Sequence, residues 1–340
     1  MAMDQTGNTD IHAAASSDPL VKVAGLTVHF DGGRSGFWGQ KKLVVHAVED
    51  VSFDILPGET LGLVGESGSG KSTTGRAILR RVPVVEGRIF FQRKDITDAK
   101  GEELRLLRRH MQMVFQDPYA SLNPRMRIVD IVAEPLLVHG LFRNLKEALD
   151  RVTDLLGLVG LPPDAAGRYP HAFSGGQRQR VGIARALTLN PEFIIADEPV
   201  SALDVSIRAQ VVNLMQDLQQ ELGLTYLFIA HDLAVVRHIS HRIAIMYAGK
   251  IVEIATRDAI YEAPIHPYTE ALLSAVPVPD PKIQKARTRI AYSGEPLNPL
   301  NPPTGCRFQT RCPYTTQECR QVEPALEERR PGHWAACWNR

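Results

Sequence analysis

The chain has 340 residues, 44% of them hydrophobic, and a formal net charge of +1. That length accommodates one or two domains with a full apolar core, and the near-zero charge argues against a surface dedicated to nucleic acid. The first eighteen residues are polar, with neither a basic start nor an apolar stretch, so no signal peptide is expected. No run approaches the roughly 20 apolar residues of a membrane helix. The nearest, Ile128 to Phe142, is broken by Asp130, Glu134 and Pro135, and the expectation is a soluble, cytosolic chain.

In chain order, Leu20 to Phe30 and Val44 to Ile55 mix β-branched residues with partial alternation and predict antiparallel strands. Between them Asp31 to Lys42 reads as a Gly-rich loop carrying Phe37 and Trp38. Pro57-Gly58 turns the chain into a short buried strand, Thr60 to Val64. Thr73 to Arg81 follows as a helix, and Gly87 to Phe91 and Met111 to Phe115 as strands. The basic clusters Arg76/Arg80/Arg81 and Arg105/Arg108/Arg109 read as solvated helix faces. From Ile128 to about Leu158 the period becomes helical, which marks an insertion within an α/β domain. A helix over Val181 to Leu189, a buried strand Phe193 to Glu198, an amphipathic helix Ser206 to Leu222 and a buried strand Thr225 to Ala230 come next. This alternation requires a mostly parallel sheet with crossovers. Ile243 to Ile254, turning at Ala248-Gly249-Lys250, reads as a closing hairpin. The Pro-rich stretch Pro277 to Pro303 reads as an extended linker, ahead of a short module holding all four cysteines.

Two stretches carry chemistry on their own residues. Gly65-Glu66-Ser67-Gly68-Ser69-Gly70-Lys71-Ser72 fits G-x-x-x-x-G-K-[ST] between the strand and the helix that this phosphate loop requires. Its glycines let backbone N–H groups converge on phosphate oxygens, and the helix that follows from Thr73 adds its N-terminal partial charge. Lys71 is expected on the β- and γ-phosphates, with the Ser72 hydroxyl on Mg²⁺. The second stretch is the end of the Phe193 strand. There Asp197 is placed to hold the metal, and Glu198 to polarise a water aimed at the γ-phosphate.

Ser174-Gly175-Gly176-Gln177, ahead of Asp197-Glu198, resembles the signature of ATP-binding-cassette (ABC) ATPases. Gln116 matches that family's Q-loop, Ser201 to Asp204 its D-loop and His231 its switch histidine, all in the family's order over residues 19 to 260. The resemblance implies a mixed-sheet cassette with an antiparallel β subdomain and a helical insertion at about 118–175. It implies head-to-tail pairing with a second cassette, a copy or a paralogue, so that Ser174, Gly175 and Gly176 of one close over ATP held by the other. Gln116 joins Ser72 and Asp197 around Mg²⁺ in that scheme, Gln177 belongs to the signature cradle, and His231 aligns the attacking water. The adenine stacks on an aromatic residue, with Phe30 preferred and Trp38 and His46 as competitors.

Gln116 to Pro124 (QDPYASLNP), Ile265 to Thr269 (IHPYT) and the Cys-rich tail are similar to the dipeptide/oligopeptide importer ATPases. That resemblance implies a peripheral subunit on the cytoplasmic face of the inner membrane, bound to two integral permease subunits and, through them, to a solute-binding protein. It divides the chain into a tail (1–18), a nucleotide-binding domain (19–264) and an extension (265–340). Peptides are the expected solute. Another solute such as nickel, a soluble ABC ATPase outside transport, and a redox-sensing module remain as alternatives. Cys306, Cys312, Cys319 and Cys337 are spaced C-x5-C-x6-C-x17-C. Disulfides are rare in the cytosol, so a shared metal centre is the natural reading. Zinc sites usually show paired C-x2–4-C knuckles, which are absent, and the wider spacing suits an iron–sulfur cluster at least as well. The family extension implies a [4Fe-4S] cluster, with zinc and unligated thiols as alternatives, acting as a staple for a tail with little core of its own.

Overall fold

Three adjacent strands of the chain's central sheet, Thr60–Val64, Thr225–Ala230 and Phe193–Asp197, expected as buried apolar runs, are buried along their whole length, as strands covered on both faces are. A computed structural model describes residues 18–35, 41–276, 290 and 297–340. The N-terminal tail, Phe37, Trp38 and most of the Pro277 to Pro303 stretch lie outside the described residues.

The first sheet has the order β2-β1-β4-β5, formed by β1 (Val21–Ser35), β2 (Lys41–Ile55), β4 (Glu86–Phe91) and β5 (Lys94–Asp95). β1 pairs antiparallel with β2 and β4, from Val21 opposite Ile55 and Phe91 outwards. Both long strands run past the boundaries expected from sequence, so the connecting loop is shorter than Asp31 to Lys42. The ladder continues through Arg34 opposite Lys42, where Gly-rich composition had pointed to a loop.

The second sheet has the order β11-β12-β10-β9-β3-β8-β7-β6. Its parallel part comprises β3 (Thr60–Val64), β6 (Met111–Val114), β7 (Phe193–Asp197), β8 (Thr225–Ala230) and β9 (Arg242–Tyr247). Alternate residues of each strand enter opposite cores. Leu61, Leu63, Phe193, Ile195, Leu227, Ile229, Ala244 and Met246 join the core beneath the antiparallel sheet, which also holds Ala77 and Ile78 of α1 (Lys71–Ile78). Ile194, Ala196, Tyr226, Phe228, Ile243 and Ile245 join the other core. That second core is built by the inserted helices α3 (Ile128–Val138) and α4 (Leu145–Leu158) with α5 (Gly175–Leu187), α6 (Val205–Leu222) and α7 (Leu233–Ile239). α2 (Gly101–His110) carries Arg105, Arg108 and Arg109 on a helix with no buried residue.

β9 turns back into β10 (Lys250–Thr256) through Ala248 and Gly249, whose φ values of 46° and 89° are those of a tight two-residue hairpin. After α8 (Arg257–Glu262) and α9 (Pro267–Ser274), the C-terminal segment supplies α10 (Gln317–Gln321), β11 (Glu327–Arg330) and β12 (His333–Ala335). β12 pairs antiparallel with β10, so the tail extends the main sheet. Tyr268 and Phe308 are buried in the main core, which gives this segment more core than its composition implied. Glu253 of β10 is fully buried, and its carboxylate accepts from the Ile265 and His266 backbone N–H groups and pairs with His333 Nε2 at 2.6 Å. Among the described residues, no helix is long and apolar enough to cross a membrane.

Candidate nucleotide site

β3 ends at Val64, and the chain then wraps through Gly65 to Gly70 before α1 begins at Lys71. Two glycines are fixed by close backbone approach. A Cβ on Gly65 would lie 2.0 Å from the Met246 carbonyl oxygen, and one on Gly70, whose φ is +102°, would lie 2.4 Å from that of Ala47. The loop is therefore wedged between β9 and β2, as a phosphate cradle that must hold its N–H groups still requires. Inside it, Lys71 is 4% exposed and its Nζ donates to the carbonyl oxygens of Gly65 and Glu66, each at 2.8 Å, and to Ser69 Oγ at 3.5 Å. Burial lowers the Lys71 pKa, opposed by the charges of Glu198, Asp197 and Glu66. Ser67 and Gly68 form the outer bend, Gly68 with a φ of +78° and open space where a Cβ would be. Thr73 follows Ser72 in the first turn of α1.

β7 and β8 lie beside β3 with β8 in the middle, so their C-terminal ends face the loop's side of the sheet. Asp197, ending β7, is 2% exposed and accepts from Ser72 Oγ at 2.6 Å, with Arg76 Nη2 at 4.0 Å. Burial raises its pKa, opposed first by the Ser72 hydrogen bond and then by Arg76. Two hard oxygen donors at this separation suit Mg²⁺, which takes carboxylate and hydroxyl ligands.

Glu198 follows with a left-handed φ of 46°, its N–H donating to Ile229 O at 2.9 Å. Its Oε2 accepts from Gln116 Nε2 at 3.1 Å and lies 3.0 Å from His231 Nδ1. Gln116 comes from the end of β6 and His231 from the end of β8, so three strand ends meet at one carboxylate oxygen. The Ser201 hydroxyl donates to Glu198 O at 3.1 Å, fixing the turn that leads through Leu203 and Asp204 to α6.

The signature residues form a separate unit. Ser174 caps α5: its Oγ accepts from the Gln177 N–H at 3.3 Å while Gln177 Oε1 accepts from the Ser174 N–H at 3.0 Å. The helix therefore starts at Gly175, earlier than the apolar period from Val181 indicates, because the capping box and not hydrophobicity sets its start. A Cβ on Gly175 would stand 3.3 Å from Leu203 Cδ2, and one on Gly176 only 2.3 Å from Ile207 Cγ2. The turn packs on its own chain's α6 region, and its polar bonds are internal.

Of the adenine-stacking expectations, Phe30 is 38% exposed on β1, opposite Val45. His46 is held by Glu49 Oε1 at 2.5 Å, as is His29, and the two imidazoles meet edge to face. Trp38 lies outside the described residues. One loop residue was passed over in sequence, because it fills a variable position of the pattern. Glu66 is tied to the C-terminal segment by two hydrogen bonds from Arg311 and one to Tyr268.

A phosphate loop on the central strand, two acids on the strand next but one, a switch histidine on the strand between and a separate capped signature turn define an ABC ATPase cassette. Sequence models agree: the family described as ABC transporter matches residues 48–201, and that described as oligopeptide/dipeptide transporter, C-terminal region, matches residues 252–319. The chain belongs to the family of oligopeptide transport ATP-binding proteins. It is 52% identical over 325 residues to AppF of Bacillus subtilis (strain 168), covering 95% of this chain and 98% of that one. It is 53% identical over 310 residues to OppF of Salmonella typhimurium, covering 91% and 92%. Among solved structures, the dimeric bacterial ABC transporter cassette MJ0796 is similar with a TM-score of 0.61 at 30% identity, covering 70% of this chain and 98% of that one.

Proposed function

We propose that this chain hydrolyses ATP at sites shared between two cassettes, and that it thereby energises import of oligopeptides through membrane permease subunits. The observation that carries the reading is the convergence of Gln116, His231 and Glu198 beside the Ser72–Asp197 pair, in a chain half identical to oligopeptide transport ATP-binding proteins. Lys71 and the N–H groups of Ser67 to Thr73 bind the phosphates of the substrate ATP. Ser72, Asp197 and Gln116 would hold magnesium, which when bound would supply positive charge against the phosphates. Glu198 takes the proton of the attacking water, and His231 and Gln116 hold that carboxylate in line. Phe30 stacks the base.

The signature turn of Ser174, Gly175, Gly176 and Gln177 is a second anion cradle at a helix start. Its polar bonds are all internal to its own turn, which fits a role completed by a partner cassette, and the related MJ0796 cassette is dimeric. The partner is a copy or a paralogue, and the pair docks on two permease subunits at the cytoplasmic face of the membrane. The relatives' names and the match of the C-terminal region favour peptides over nickel, and favour transport over a soluble role.

The C-terminal thiols take an iron–sulfur cluster in this reading. Cys306, Cys312, Cys319 and Cys337 line one small cavity with His266 and Phe308. Burial, with the neighbouring thiols adding to it, pushes the Cys306 pKa up to about 11, which favours thiolates only when a metal compensates. Among the described residues, the trio of ligand atoms within 4.8 Å of one another is His29, His46 and Glu49, not any three cysteines.

The test is purification of the full chain from detergent-solubilised membranes. Two integral membrane proteins should accompany it, and peptide-loaded binding protein should stimulate ATP hydrolysis by the complex. Stimulation by nickel-loaded binding protein and not by peptide would overturn the solute assignment.

A further inference from the structure

We propose that Arg311 and Tyr268 are positioning residues for ATP binding, which makes the four-cysteine segment a structural part of the nucleotide site. The inference rests on the phosphate-loop reading above. It starts from Glu66, whose polar groups are all engaged. Its N–H donates to Tyr268 Oη at 2.9 Å. Its carboxylate accepts from Arg311 Nη1 at 3.0 Å and Nη2 at 3.2 Å, the parallel two-bond geometry that fixes orientation as well as distance. Its carbonyl oxygen accepts from Lys71 Nζ at 2.8 Å and from the Ser69 N–H at 3.2 Å. The carbonyl that steadies the phosphate-binding lysine is thus aimed by two contacts made 202 and 245 residues further along the chain.

Both contacts are rigidly backed. Tyr268 is 1% exposed, and its ring packs on Tyr247 and Phe308 with centroids 4.7 and 5.5 Å away. The Arg311 guanidinium lies 5.9 Å from the ring centroids of both Tyr247 and Phe308. An exposed ion pair between flexible side chains contributes little. This one is two-bonded, and its arginine is only 16% exposed and held over two rings.

The other end of the loop is reached in the same way. Arg307 is buried and donates to the carbonyl of Ala248 in the β9–β10 turn. The next residue, Gly249, donates its N–H to Ser69 O at 2.8 Å and accepts from the Glu49 N–H at 2.9 Å. Arg307 follows Cys306 directly and Arg311 precedes Cys312 directly. Phe308, between them, lines the cavity that gathers the four thiols. Two arginines, each next to a cysteine, therefore brace Glu66 and Ser69 of one phosphate loop. The cysteine segment sets where that loop sits.

The experiment measures the Kd for ATP of the full chain by calorimetry, with thermal unfolding as the fold control. The variants are Lys71→Ala, Glu66→Gln, Arg311→Met, Tyr268→Phe and the Glu66→Gln/Arg311→Met pair. Tyr268→Phe keeps the ring packing and removes only the hydroxyl, so it reports on positioning even if Arg311→Met folds poorly. Arg311→Met is expected to weaken ATP binding about tenfold, a mid-range coupling for residues in contact. Tyr268→Phe should weaken it in the same direction, and the double variant should be no weaker than Glu66→Gln alone. A purely structural role would lower the unfolding midpoint and leave Kd in place, or give additive losses. Loss of binding in Lys71→Ala with wild-type Kd in both Arg311→Met and Tyr268→Phe, or additivity in the double variant, overturns the positioning role. Wild-type Kd in Lys71→Ala would instead overturn the phosphate-loop reading on which it rests.

Discussion

Replacing Glu198 by Gln separates ATP binding from hydrolysis most cleanly. Both side-chain contacts of Glu198 converge on a single oxygen, Oε2, with Gln116 Nε2 at 3.1 Å and His231 Nδ1 at 3.0 Å. An amide placed with its oxygen at that position accepts the same two bonds, so the three strand ends stay assembled. The NH₂ group then occupies the other carboxylate position, and no lone pair there can take a proton from water. General-base catalysis contributes roughly 10²- to 10⁴-fold, which corresponds to about 3–5 kcal/mol of barrier at 1.36 kcal/mol per decade. Lys71, Ser72 and Asp197 are untouched, so ATP affinity should be unchanged. Single-turnover hydrolysis of radiolabelled ATP, run beside a binding titration, reads both quantities. The expected result is a rate at least a hundredfold lower with the same Kd, together with a dimer that accumulates in ATP on gel filtration. A wild-type rate would show that Glu198 is not the base, and weakened binding would show that its contacts hold the site together.

Other changes have equally definite outcomes. Asp197→Asn should abolish magnesium-dependent hydrolysis while raising the unfolding midpoint, because burial makes the ionised carboxylate costly and the amide still accepts from Ser72; a lowered midpoint would contradict the burial argument. Ser174→Ala removes the α5 cap at a cost of about 1 kcal/mol, and should depress ATPase activity without changing ATP affinity in a monomer. Gly176→Ala should already destabilise the isolated chain, since its Cβ meets Ile207, so loss of activity in variants at Gly176 is no clean probe of the partner's nucleotide. Anaerobically purified protein should be brown, absorb near ~400 nm and hold about four iron and four sulfide per chain, as a cubane on four thiolates requires. Stoichiometric zinc without iron would refute the cluster.

What the sequence makes legible follows from where the signal is local. The strands at Thr60, Phe193 and Thr225 are apolar on both faces, so their burial is written in consecutive residues. The phosphate loop and the signature turn are likewise spelled out within eight and four residues. The tail was harder to read. Glu327–Arg330 is four charged residues, yet it forms a strand because its backbone pairs with β12, which in turn pairs with β10. No period could announce that, since every side chain in it is exposed. Glu253 left a faint trace, a lone acid inside an apolar hairpin strand, but its three partners come from segments 12 to 80 residues away. Glu66 left none. It sits at a variable position of its motif, and its importance lies in Arg311 and Tyr268, which only the fold brings to it.

ATP turnover at this site is proposed to drive peptide entry. Inside-out geometry makes it measurable: the chain, its permease partners and a peptide-binding protein are reconstituted in vesicles, with ATP supplied on the side of the cassettes and a labelled oligopeptide on the other. The expected result is ATP-dependent peptide accumulation on the side of the cassettes that disappears with Glu198→Gln. Accumulation that persists in that variant, or ATP turnover by the wild-type complex with no peptide movement, would contradict it.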